Sequence, residues 1–321
     1  MISIQYGFNL SDILYRRKKK FEPLKGKIVY RKNSEIYVMN RDGTNQTKLI
    51  GREMIDLPMR GPAVSPDGTR IAFSAGYYIE GGSNPRAEVA IYIFDLLSGT
   101  FRQVTPKGCY ENPKWSPDGK WLVFQSGPFV EISPGQWWVK QWDIYKVNLE
   151  TGEIKRLTED GGEDPDWSPD GTKIAYKGKD GIYIMNSDGS NKTKLIGNQH
   201  LEGELKVIGN KTITVSGMIY GLCQPCWFPD GKRIAFVAWF DQTDIFLVNC
   251  DGSNLTLISW HEDELIRAHA KDEWPRVSPD GKEIVFMSAY GGWNIYKIVL
   301  ETGEIKRLTS DGGEYPSLSP L

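Results

Sequence analysis

Cysteine and histidine are both scarce in this sequence: 321 residues hold four cysteines (Cys109, Cys223, Cys226, Cys250) and three histidines (His200, His261, His269). Four thiols are too few to staple a fold of this size, so reduced cysteines are expected. An excess of charge of one sign is missing too. Lys plus Arg number 39 against 41 Asp plus Glu, which excludes a general attraction to nucleic acid or anionic membrane and confines electrostatic function to local clusters. No apolar run approaches the ~20 residues that span a bilayer. The beginning, MISIQYGFNLSDILYRRKKKFEPLKGK, sets its basic run Arg16 to Lys20 after scattered apolar residues, the wrong order for a secretory signal. The expectation is a cytoplasmic chain, periplasmic or extracellular only if it is a processed form. Gly-x-Ser-x-Gly, a phosphate loop and His-Glu-x-x-His are likewise absent.

What is abundant is repetition. Ser-Pro-Asp-Gly or a close variant begins at Ser65, Ser116, Ser168, Phe228 and Ser278, with a truncated Ser-Pro at Ser319. The tetrad makes a tight turn, because proline presets φ and glycine tolerates positive φ. A β-branched or aromatic run follows, as in Ile174-Ala175-Tyr176 or Ile284-Val285-Phe286, and then a strand such as Ile182 to Met185 that ends in Asp-Gly or Thr-Gly hairpin chemistry. Four antiparallel strands recurring in this way are a propeller blade.

The chain ends set the blade number. The unit from Gly26 lacks an innermost strand, whereas Glu314 to Leu321 is an innermost strand with nothing after it. Together they complete one blade and remove a free edge. The fold expected is all-β, a six-bladed β-propeller with blades at 26–50 plus 314–321, 60–105, 111–158, 163–197, 221–258 and 273–309. Residues 1–25 form a basic N-terminal extension, with a possible helix start at Asn9 to Asp12, and 26–321 the propeller. A second symmetry overlies the first: IYVMNRDGTNQTKLIG at Ile36 matches IYIMNSDGSNKTKLIG at Ile182, and YKVNLETGEIKRLT at Tyr145 matches YKIVLETGEIKRLT at Tyr296. Each pair lies three blades apart, as in a duplicated three-blade half.

The WSPDGxxIAF phrase, the Glu-x-Pro before it and the IYxMNxDGxNxxxLT phrase after it resemble the TolB-like six-bladed propellers of the WD40-like PD40 repeat family. The resemblance runs over residues 26 to 321. It implies a face that receives a polypeptide partner. Oligogalacturonate lyases share the repeats and use propeller histidines with a divalent ion, which implies a competing reading as a carbohydrate-active lyase or hydrolase.

Strand connectivity places all the long connections on one face: Gly76 to Glu88, Gly127 to Gln141, Gly197 to Tyr220 and Ser259 to Asp272. Lengthened loops on a rigid scaffold carry binding. On the same face the position before x-Pro holds Arg60, Glu111, Glu163, Cys223, Glu273 and Glu314, a ring pointing to the channel mouth that would suit a cation or a basic peptide, or else accept loop hydrogen bonds. Tyr77, Tyr78, Trp137 and Trp138 lie in second-to-third strand loops, outside the blade pattern, where they would anchor a partner or stack on a sugar. Trp115, Trp167 and Trp227 occupy the repeated position before the turn and belong to the core. His261 and His269, eight apart in an expected short helix, are the candidates for a divalent metal at the mouth, although no cofactor is required. Cys223-Gln-Pro-Cys226 reads as structural thiols, and Asp-Gly-[Thr/Ser]-Asn at Asp42, Asp188 and Asp251 as turn chemistry in place of a calcium loop. The function expected is a non-enzymatic binding propeller. Its partner is a protein or peptide, with no nucleic acid, no transmembrane segment and a monomeric chain.

Overall fold

Each Ser-Pro-Asp-Gly turn is tied by the same bonds. The Ser65 hydroxyl donates to Asp67 at 2.5 Å and accepts from the Arg70 amide at 2.9 Å, and the Asp67 carboxylate takes the Thr69 amide at 3.0 Å. Ser116, Ser168 and Ser278 repeat the arrangement with Asp118, Asp170 and Asp280. The side chains thus satisfy backbone donors that the ladder leaves free, which fixes where the second strand starts. The computed structural model, which describes residues 21–79, 85–209, 211–240, 242–261 and 269–321, repeats this turn four times; Phe228 replaces the serine in a fifth copy, and at Ser319 the tetrad is truncated.

Five four-stranded antiparallel sheets and one elaborated sheet form six blades. Lys27–Lys32 pairs with Glu35–Asn40 on one side and with the C-terminal strand Glu314–Leu318 on the other, so the two ends of the chain share a blade. The Lys27 amide donates to the Ser319 hydroxyl at 2.7 Å and fastens the closure. We call this the closing blade and number the others one to five, from innermost strands Met59–Val64, Tyr110–Trp115, Glu163–Trp167, the end of Lys211–Trp227, and Asp272–Val277. The core lies between blades. Trp115 packs with Ala63, Ile93 and Phe124, Trp167 with Val123 and Ile174, and Trp227 with Ala175 and Ile184; all three tryptophans are buried.

Three long connections are more ordered than loops. Tyr78–Ile79 pairs with Arg86–Ala87, and Phe129–Ser133 with Gln136–Val139, as two small hairpins. The stretch expected as a third loop, 197–220, is instead paired β-structure. Gln199–Val207 pairs along its length with Lys211–Trp227, and also with Thr256–Leu257, curling the fourth blade into a closed barrel. Leu205, Val207, Val215 and Ile219 point into it against Phe236, Phe246 and Leu257. Those alternating apolar residues need cover, and burying them holds the hairpin against the blade. Gly209 at its tip lies against the Thr302 carbonyl of the fifth blade, closer than a side chain would permit.

Phe21 donates its amide to the Leu96 carbonyl at 3.0 Å and sets its ring edge-on to Phe94, while the Leu24 amide reaches the Gly68 carbonyl at 2.8 Å. The basic run and the helix start expected near Asn9 lie outside the described residues. So does most of the helix expected after Trp260.

Candidate functional site at the channel mouth

In every innermost strand the residue between the ring position and proline has a left-handed backbone. The φ angles are +54° at Gly61, +55° at Asn112, +52° at Asp164, +52° at Gln224, +55° at Trp274 and +50° at Tyr315. The register with the neighbouring strand slips at the same place in all six blades. Each is a β-bulge, which re-aims side chains at a barrel or propeller rim. The following proline has no amide to leave unpaired, and that is why the phrase contains one.

The bulges build tiers down the channel. The outer tier is the expected ring, and much of its charge is already paired. Arg60 meets Glu111 of the next blade at 3.2 Å, Lys177 meets Glu163 at 2.8 Å, and Arg31 pairs with Glu314. The Tyr78 hydroxyl donates to Glu111 at 2.8 Å, while the Arg60 guanidinium lies 5.3 Å from the Tyr78 ring centre. An open ring of four carboxylates is therefore replaced by pairs. Lys177 and Arg31 sit opposite their glutamates in the second strand, so cross-strand neighbours neutralise them. Glu273 differs: it faces Met287 across the strand, and among the described residues it has no ion-pair partner. Its carboxyl is pushed above the ordinary glutamate range, chiefly by burial, with Gln224 and Lys271 pulling the other way. Cys223, at the ring position of the fourth blade, is a thiol held up by burial and by nearby Asp164.

Below the ring, sequence reasoning missed the residues that fill the channel. Asn112 donates to Asp164 of the next blade at 2.9 Å, and the Gln224 side-chain oxygen takes the Trp274 amide at 2.6 Å. Trp274 and Tyr315 pack with ring centres 4.8 Å apart and their planes tilted by 58°. One step deeper lie Lys114, Asp166 and Arg276. Burial holds the Lys114 ammonium down to about 7, helped by Arg276 and opposed by Asp166. Burial likewise raises Asp164 to about 6, with Glu163 adding to the shift. The signal that could have found these residues is the fixed spacing x-Pro-x after each ring position, once a bulge at x is allowed.

The loop aromatics divide. Tyr78, Phe129 and Trp137 form one chain of rings, 5.6 Å and 5.9 Å between centres, that joins the hairpins of the first and second blades beside Glu111. Trp138 is 58% exposed, and Tyr77 is exposed with its hydroxyl held by Arg52 at 2.8 Å. A second aromatic pair, Tyr220 and Trp239, stacks at 6.3 Å beside the fourth blade's end of the mouth.

The metal expectation finds little to build on. His261 hydrogen-bonds buried Asp272 at 3.2 Å, and His269 is exposed. No group of three or more ligating side chains comes together among the described residues. The cysteines Cys109 and Cys226 are pushed up to about 12 and about 11 by burial, the environment of inert thiols. Asp42, Asp188 and Asp251 each accept an amide at 2.9 Å and a hydroxyl at 2.6 Å from Thr44, Ser190 and Ser253, which is turn chemistry.

Fold and mouth together define a class, the six-bladed β-propeller closed by strands from both ends of the chain. Within that class, the chain belongs to the TolB beta propeller domain family, whose model matches residues 25–218. Protein Atu1656 of Agrobacterium fabrum is 27% identical over 243 residues, 72% of this chain and 70% of that protein. The Tol-Pal system protein TolB of Francisella tularensis subsp. holarctica is 25% identical over 294 residues. That match takes in 88% of this chain but 56% of the relative, so the chain spans little more than half of that relative's length. Among solved structures, TolB from Acinetobacter baumannii is alike in fold, with a TM-score of 0.66 at 21% identity over 94% of this chain and 68% of the other.

The Tol-Pal likeness overturns the cytoplasmic placement. TolB proteins are periplasmic, and relatedness to them points this chain to the same compartment. The order of apolar and basic residues near Met1 was a poor guide because it reads a transport signal and nothing about the folded domain. No helix among the described residues is long and apolar enough to cross a membrane.

Proposed function

We propose that this propeller docks a polypeptide on the channel-mouth face, across the ring Arg60, Glu111, Glu163, Cys223, Glu273 and Glu314 and the rim aromatics Tyr77, Tyr78, Trp137 and Trp138. The observation that carries this reading is the coincidence of half-buried charge pairs with aromatic side chains on rigid hairpins. Tyr78 belongs to both, through its hydroxyl on Glu111 and its ring against Phe129. Rigid aromatics beside a polar, partly desolvated centre are what a protein-binding surface needs, since they add contact area at low entropic cost. Membership of a relative in the Tol-Pal system agrees with a polypeptide partner. The propeller is the recognition element, and residues 1–25 are an extension to it.

Photocrosslinking tests this. A benzophenone amino acid is placed at Trp138 or Trp239 on the mouth face, or at Asp188 on the opposite turns, in the cells that make the protein. Discrete protein adducts from the first two positions and none from the third are expected. Adducts confined to Asp188 would contradict the proposal.

A further inference from the structure

The two halves of the duplicated ring differ at one place that bears on what the mouth recognises. Position for position, the first blade corresponds to the fourth and the second to the fifth, so Arg60 and Glu111 correspond to Cys223 and Glu273. In the first pair a guanidinium bridges two blades, meeting the carboxylate at 3.2 Å under the Tyr78 ring. In the second pair the cation is missing: Cys223 ends at its sulfur, and Glu273 has no ion-pair partner among the described residues.

The surroundings of a cation are nonetheless present. Cys223 pairs with Val237, and Trp239 lies two residues further along the same strand. Side chains alternate across a strand, so Trp239 shares the sheet face of Cys223 and Val237. Both of those pack toward Phe286 of the fifth blade, the blade that carries Glu273. Trp239 is 38% exposed and its stacking partner Tyr220 48% exposed, an aromatic shelf at the mouth end of the fourth blade. In the other half Arg60 lies between a half-buried carboxylate, Glu111, and an aromatic ring, Tyr78.

We propose that this quadrant is a socket for an arginine side chain of the docked polypeptide, its guanidinium paired with Glu273 and lying against the Trp239–Tyr220 shelf. The inference rests on the docking function proposed above and names the residue that the mouth selects. Arginine fits better than lysine because a planar guanidinium both pairs with a carboxylate and stacks on an aromatic face. The chain would thus hold one arginine of its own and recognise a second from its partner.

The test is a phage-displayed library of random nonapeptides selected on the immobilised protein, with binders ranked by competition against the variants Glu273→Gln and Cys223→Arg. We expect arginine to be enriched at one peptide position. Affinity should fall about ten-fold or more in Glu273→Gln, which keeps the shape of the side chain, and in Cys223→Arg, which fills the socket from within. Mouth binders without an enriched arginine, or binders indifferent to both variants, would overturn the socket while leaving the docking function standing. A library that yields no peptide displaced by a Trp138→Ala, Trp239→Ala double variant would overturn both.

Discussion

The first and second blades carry Arg60 and Glu111 where the fourth and fifth carry Cys223 and Glu273. Much of what lies beneath those residues is shared: the bulge at +54° to +55° or +52°, the proline after it, the Pro-Asp-Gly turn, and the buried phenylalanines Phe124 and Phe286. The same contrast continues inward, where Lys114 corresponds to Arg276 and Asn112 to Trp274. Duplication has kept what closes the ring and let go of what lines its mouth. Residues that break the internal symmetry are therefore the place to look for recognition, since no folding requirement explains them.

The largest effect expected is one that the two halves share. Phe124→Ala and Phe286→Ala each empty a fully buried site, and each should cost about 3–5 kcal/mol, with similar values in the two halves. Denaturant unfolding measures both. A cost in one half only would mean that the halves do not share a scaffold.

A smaller effect should separate them. The buried Lys114 ammonium, held down to about 7, loses its proton in the folded chain before the unfolded chain does. Stability should then rise as pH increases from about 7 toward the ordinary lysine range, where the unfolded state binds more protons. Asp164, raised to about 6, acts in the opposite direction lower down: stability falls as pH climbs from the ordinary aspartate range to about 6. In Lys114→Met the rise above pH 7 should vanish, whereas Arg276→Met should leave it, because a guanidinium does not titrate there. A stability profile unchanged by Lys114→Met would refute the buried-amine account.

The smallest effect concerns the ring itself. Arg60→Ala removes a partly exposed pair and should cost only about 0.5–1 kcal/mol in thermal unfolding. Cys223→Arg should have the opposite sign, because it supplies Glu273 with the cation that its counterpart already has. Destabilisation by Cys223→Arg would show that the quadrant has no room for a guanidinium.

The blades were legible because their signals are local. Aspartate and glycine, with serine before them in four copies, fix the turns within five residues, and alternating apolar strands follow directly. The ring positions could be read from the same phase. Their partners could not: Arg60 reaches Glu111 across a blade boundary, and Arg31 meets Glu314 from the opposite end of the chain. The inner residues Asn112, Asp164 and Trp274 were hidden because a strand read with strict alternation places them elsewhere, and only a bulge turns them inward. The hairpin over Gln199–Val207 and Lys211–Trp227 did carry a signal. Leu205 and Val207 alternate before Ile208-Gly209-Asn210-Lys211, and Ile213 and Val215 after it, around a Gly-Asn turn. Its length between blades disguised it as a loop.

Amide hydrogen exchange of the protein, with and without a saturating peptide from the nonapeptide selection, tests the central claim most directly. Protection concentrated at residues 76–79, 129–139, 220–223 and 272–274 is the predicted result. Protection at the turns around Asp67, Asp118 and Asp170 instead, with the mouth unchanged, would contradict it.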